Sequence, residues 1–86
     1  MGSKWVREGE ALKRSVECVD FETAIELVRV VALIAEEMDH HPDIDIRWRT
    51  VLFSLTTHSR GTVTELDVEL AQRIDTVLTS RTVVEA

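Results

Sequence analysis

The chain holds a single cysteine, so no disulfide can form within it, and Cys18 sits in an alternating apolar run as a small buried hydrophobe rather than a nucleophile. A reducing, cytoplasmic setting is expected. The longest unbroken apolar stretch, Val30 to Ala35, falls far short of the roughly 20 residues a membrane-spanning helix needs. No secretory signal is visible, and Val6 stands where a myristoylation signal requires Ser or Thr, so neither a span nor a lipid anchor is expected. Positive charge is in short supply. Ten Lys and Arg face 16 Asp and Glu, a formal net charge of -6, which repels phosphate backbones and anionic lipid and argues against direct nucleic-acid or membrane binding. Proline occurs once, at position 42, and no linker, repeat or low-complexity stretch divides the chain.

What is present suits one compact domain over residues 1–86, with 1–4 and 79–86 as flexible ends. Hydrophobic residues make up 44% of the sequence. A domain of this size buries only ~60% of the surface its unfolded chain exposes, so association with further copies would help it.

Between Trp5 and Cys18 the pattern alternates, with Leu12, Val16 and Cys18 on one side and Lys13, Ser15 and Glu17 on the other. Gly9-Glu10 is placed to turn that stretch into a hairpin, glycine first. Asp20 can cap a helix whose inward positions are Phe21, Ala24, Ile25, Val28, Val31, Ala32, Ala35 and Met38. Leu27, Val30, Leu33 and Ile34 widen that apolar surface beyond one stripe. Pro42 forces the helix to end near Asp39 to His41. Alternation resumes from Asp43 to Trp48 and from Arg49 to Thr57, which reads as two strands or one bent strand. Gly61 breaks the run. Thr64 and Asp67 then mark the start of a last helix with Leu66, Leu70, Ile74, Val77 and Leu78 inward and a frayed tail from Thr79. The order strand, strand, helix, strand, strand, helix predicts an α+β fold, an antiparallel four-stranded sheet with helices packed on one face. The run from Arg49 to Thr57, free of proline, is expected to lie at a sheet edge and pair with a second copy.

All three histidines fall at predicted element ends, His40 and His41 at the helix exit and His58 beyond the long strand. Ends of rigid elements are where sites are built. The same residues can equally serve as helix caps or ordinary surface groups. As metal ligands they are weak, since adjacent rings converge on one ion only through a special turn and no His-Glu-x-x-His or cysteine pair supports them. A nucleophilic role is poorer: neither Ser54 nor Ser59 occupies a nucleophile elbow. General acid/base chemistry fits better, because imidazole has both protonation states available near neutral pH.

The segment Glu36-Glu37-Met38-Asp39-His40-His41-Pro42, followed by Trp48, His58 and Asp67, resembles the pterin-4a-carbinolamine dehydratase signature. That signature has a charged residue four before the first histidine, then His-His-Pro, an aromatic, a further histidine and a later aspartate. The flanking Asp20-Phe21, Ala35-Glu36, Leu55-Thr56-Thr57-His58 and Leu70-Ala71 agree as well. Two departures stand out. The further N-terminal helix found in many members is lacking, and Ile44 stands where some carry an aromatic pocket wall.

The resemblance implies dehydration of 4a-hydroxytetrahydrobiopterin, or a related 4a-carbinolamine, to the quinonoid dihydropterin, with no metal and no cofactor. It makes His40 and His58 the acid/base pair and His41 the residue that orients the substrate. Substrate contacts are implied at Asp39, His40, His41, Thr56, Thr57, His58 and Ser59, with Glu36, Pro42, Trp48 and Asp67 in support. Among these, Pro42 reads as the device that fixes the turn and Asp67 as a helix-start residue. Trp48 reads as core, since strand aromatics bury area first. The resemblance also implies a homodimer or homotetramer. Its alternative is a non-enzymatic role, since relatives of this fold serve as a dimerisation cofactor of a transcription factor or as Rubisco assembly factors.

Overall fold

The computed structural model describes residues 4–80. Six elements follow one another: β1 (Val6–Glu8), β2 (Ala11–Glu17), α1 (Phe21–Met38), β3 (Asp43–Arg47), β4 (Thr50–Leu55) and α2 (Glu65–Ser80). The expected flexible ends fall largely outside the described residues; within them, Thr79 and Ser80 complete α2.

β1 and β2 form the expected hairpin, with Glu8 paired to Ala11 across Gly9-Glu10. Gly9 takes φ of +61°, a conformation that disfavours a side chain and that a tight hairpin turn demands of its first position. The strands pair antiparallel throughout in the order β1-β2-β4-β3. β4 is therefore central and flanked on both sides, which corrects the expectation that Arg49 to Thr57 forms an edge. The free edges belong to β1 and β3. The reason lies in the inward row of β4, Val51, Phe53 and Leu55, which is fully buried. A strand with that row sits most favourably where neighbours shield both of its sides.

Cross-strand registry sorts the two faces. Leu12 pairs with Leu55, Arg14 with Phe53 and Val16 with Val51, while Ile44 and Ile46 continue the rows on β3. Their alternates, such as Lys13, Ser15, Ser54, Asp43 and Asp45, form a polar outer face, so the helices have one apolar face to cover. Val31 and Leu27 of α1 and Leu70 and Ile74 of α2 close the core over Phe53, and the Trp5 ring lies 6.4 Å from that of Phe53.

Asp20 caps α1, accepting from the Thr23 N–H at 2.7 Å. The buried stripe of α1 is Ala24, Leu27, Val31 and Ala35. Phe21, Ile25 and Ala32, expected inward, are exposed, because the stripe is centred on Leu27 instead. Leu66 of α2 is likewise exposed.

Trp48, expected in the core, sits with Arg49 in the turn between β3 and β4, at φ of +56° and 74% exposed. The Arg49 guanidinium carbon lies 5.2 Å from its ring centroid. A two-residue connection leaves the side chain no element to pack under, so position in the turn overrides apolar character. The buried cation Arg14 is the opposite surprise. It is inward on β2 and pairs with Asp75 of α2 at 2.5 Å, a carboxylate that also accepts from Trp5 Nε1 at 2.8 Å. Among the described residues, no helix is long and apolar enough to cross a membrane.

Candidate active site

The turn that ends α1 presents the first two histidines. Asp39 adopts the left-handed conformation, φ 53° and ψ 42°, with its N–H directed to the carbonyls of Ala35 and Glu36. His40 N–H returns to Ala35 O at 3.0 Å. Such 5→1 and 6→1 bonds close a helix on a left-handed residue, where aspartate is among the few non-glycine types tolerated. Pro42 then leads into β3. Because Asp43, at the start of β3, pairs with Ser54, near the end of β4, the exit from α1 and the exit from β4 meet at one end of the sheet.

His58 enters from the second exit. A Thr57–Thr62 bridge closes a tight loop, with Arg60 N–H and Gly61 N–H both directed at Thr57 O, 3.0 and 2.9 Å away. The His58 ring is exposed and makes no hydrogen bond among the described residues.

His40 is set quite differently. Its Nε2 lies 2.6 Å from Asp67 Oδ1, and Asp67 is fully buried. The other oxygen, Oδ2, accepts from Thr57 Oγ1 at 2.7 Å and from Thr64 N–H at 2.9 Å. Since Thr57 spends its one hydroxyl hydrogen on Asp67, the 2.6 Å contact between the two threonine hydroxyls has Thr64 as donor. Burial opposes ionisation of Asp67, but the hydrogen bonds from His40, Thr64 N–H and Thr57 outweigh it and hold the carboxyl below its ordinary 3.8. An ionised carboxylate only accepts, so His40 Nε2 carries hydrogen and Nδ1 is the ring's remaining nitrogen. Asp67 thus lies in the first turn of α2, as a helix-start residue should, and also anchors His40. The sequence signal for the second role is only its place in the signature.

His41 is more open, with its side chain 55% exposed and Nε2 2.6 Å from Glu36 Oε2. An exposed pair of this kind adds little stability. It fixes the ring's direction instead.

Between these groups lies a hollow of about 290 Å³. Asp39, His40, His41, Thr56, Thr57, His58 and Ser59 all line it, so every expected substrate-contact position is brought together. Leu66 is the one addition, an apolar wall supplied by the first turn of α2. Glu36 touches the site through His41 and Asp67 through His40, while Pro42 leads out of the turn. Trp48 is not part of it. It follows β3, at the far end of the strand from Asp43, and so stands at the opposite end of the sheet from the histidines. Among the described residues, no group of three or more His, Cys, Asp or Glu side chains converges as metal ligands.

Comparison with known proteins identifies the family and the fold. A family model described as pterin 4 alpha carbinolamine dehydratase matches residues 1–77. A Mycolicibacterium smegmatis protein named "Putative pterin-4-alpha-carbinolamine dehydratase" is 55% identical over 74 residues, 86% of this chain and 79% of that protein. One of the same name from Nocardia farcinica is 54% identical over 71 residues, 83% of this chain and 75% of that protein. Among solved structures, a protein from Brucella melitensis described as a transcriptional coactivator/pterin dehydratase superposes with a TM-score of 0.81 at 38% identity, covering 86% of this chain and 81% of that one. A pterin dehydratase-like protein described as a RuBisCO assembly factor in the alpha-carboxysome shares the fold, with a TM-score of 0.69 at 18% identity over 85% of this chain and 84% of that one. With a match over most of the sequence and relatives more than half identical to it, the chain belongs to the pterin 4 alpha carbinolamine dehydratase family.

Proposed function

We propose that this protein dehydrates a 4a-hydroxytetrahydropterin to the quinonoid dihydropterin, using His40 and His58 as acid and base with His41 orienting the ring. The observation that carries the reading is the convergence of all three histidines on one hollow, with one of them held by a buried, ionised carboxylate. The chemistry asks little more. A carbinolamine nitrogen already has a lone pair to expel the 4a-oxygen, so the C–O bond breaks as that oxygen takes a proton, and a proton leaves the nitrogen system to complete the quinonoid product. His58, with no partner among the described residues, is suited to giving the first proton. His40, whose Nε2–H is committed to Asp67, has Nδ1 available to accept the second. The reaction releases water and needs no redox partner.

The test is direct: the purified protein should accelerate formation of quinonoid dihydropterin from a freshly generated 4a-hydroxytetrahydropterin, equally with and without a chelator. A rate no faster than buffer, from a folded protein, would overturn the proposal. A rate lost to the chelator and restored by zinc would replace proton shuttling by metal chemistry.

The proposal includes a homodimer or homotetramer. The β3 edge and the exposed Phe21, Ile25 and Leu33 of α1 support it, since both offer surface that a further copy can cover. Those same side chains favour the second reading, a non-enzymatic interaction module. A folded, inactive protein is the result that would select it.

A further inference from the structure

His58 has the least support of the three histidines, since its ring is exposed and makes no hydrogen bond among the described residues. Its direction is therefore set by the backbone that carries it, the loop between Thr57 and Thr62. One foot of that loop is fixed from the α2 side, where Thr57 is tied to Asp67 and Thr64. The other is fixed from a distant part of the chain. In the pairing of β2 with β4, Leu12 stands opposite Leu55, and the same register carried two positions further sets Glu10 beside the exit of β4. There the Glu10 carbonyl accepts from Thr56 Oγ1 at 2.6 Å. Its carboxylate Oε1 accepts from Thr62 Oγ1, also at 2.6 Å. Arg7 completes the clasp, with Nη2 3.2 Å from Thr62 Oγ1 and 3.3 Å from Glu10 Oε1, and Nε 3.1 Å from Gly9 O. The Thr62 hydroxyl accepts from Arg7 and donates to Glu10, so both of its functions are engaged.

We infer that Glu10 is a positioning residue for His58: from the tip of the β1–β2 hairpin it holds Thr56 and Thr62, and so keeps the loop between them in the arrangement that aims the imidazole at the hollow. Its part in catalysis rests on the pterin reading above, while the brace itself does not. Glu10 is not among the residues that line the hollow, so it acts through the loop and not on a substrate. The brace matters because the loop has little else to hold it. His58, Ser59, Arg60 and Gly61 are all exposed, with no apolar side chain among them to bury. A loop held by hydrogen bonds samples other arrangements when one is removed, and the fraction of molecules with His58 aligned falls accordingly. Binding depends less on that fraction, because Asp39, His40 and His41 at the exit of α1 and Leu66 of α2 line the hollow independently of the loop.

The test pairs NMR relaxation of the free protein with steady-state kinetics of Glu10→Ala and Glu10→Gln. Glu8→Ala is the control on the same hairpin, since that carboxylate pairs with Lys13 at 2.9 Å instead. Both positions are exposed, and matching melting curves establish that each variant folds. In Glu10→Ala the amide order parameters of His58 to Gly61 should fall from the ~0.85 of rigid backbone toward ~0.6. Its kcat should drop roughly fivefold, the worth of one hydrogen bond, with KM changed by less than about twofold. Glu10→Gln keeps an oxygen that accepts from Thr62 and should stay within about twofold of the wild-type kcat. Glu8→Ala should match wild type in both measurements. In a His58→Ala background, Glu10→Ala should lower kcat no further, because no ring is left to aim. Order parameters that Glu10→Ala leaves unchanged, or a loss of kcat just as large with His58 already removed, would overturn the assignment of Glu10. A wild type that fails to dehydrate a 4a-hydroxytetrahydropterin overturns the pterin reading alone, and a loop loosened by Glu10→Ala in that protein still upholds the brace on His58.

Discussion

His40 and Asp67 each account for the burial of the other. The carboxylate satisfies a ring nitrogen that would otherwise be orphaned, and the ring supplies one of three hydrogen bonds that make a buried charge tolerable. Asp67→Asn should therefore cost about 2 to 3 kcal/mol near neutral pH, read as a shift of the urea midpoint. The pH dependence has a fixed sign. Folding lowers the Asp67 pKa below 3.8, so its contribution is complete above that value and disappears as pH falls through the lower, folded value. Wild type should lose stability in that acid window, and Asp67→Asn should lose less there. Equal acid slopes for the two proteins would show that Asp67 is not ionised in the fold. On activity, His40→Ala and His58→Ala should each reduce kcat by ~10²-fold or more, as loss of a general acid or base does. His41→Ala should raise KM more than it lowers kcat. Steady-state kinetics of the three variants checks the division of roles, and a change confined to KM at His58 would remove it from the chemistry.

The elements differ in how much of each was written locally. α1 was readable from cap to exit, because a side-chain cap at Asp20 and the break at Pro42 act within a few residues of the ends they set. Its rotation was less so. Periodicity marked a broad apolar surface, and only contact with the sheet chose Leu27 over Phe21 and Ile25 as its centre. The β3–β4 turn shows the same limit at smaller scale, since Trp48 alternates like a strand residue and yet lies in the bend. Trp48→Gly is expected to change stability by less than about 1 kcal/mol, because relief of the left-handed backbone offsets the lost cation–π contact and the freer unfolded chain. Thermal melting checks this: a loss of the ~3 to 5 kcal/mol typical of a removed core aromatic would mean the ring is covered.

For the molecule as a whole, the proposed assembly makes a prediction about mass. Sedimentation at micromolar concentration should give a mass that is a multiple of 9.8 kDa, and Ile25→Glu with Leu33→Glu should lower it by charging the exposed surface of α1. A wild-type species at the monomer mass with full activity would show that neither that surface nor the β3 edge needs a partner. The sequence by itself determined the element order, the Gly9 hairpin, the cap and exit of α1 and the placing of three histidines at element ends, since turns, caps and hydrophobic periods act between near neighbours. The spacing of those histidines with Glu36, Pro42 and Asp67 also carried the family resemblance. Only the tertiary structure decided which strand is central, because that rests on pairings such as Leu12 with Leu55, which alternation leaves free. It decided too that Arg14 is buried and that Leu66 walls the site. Above all it joined Asp67 to His40 across 27 positions, since a polar group can be buried only where the fold delivers its partner.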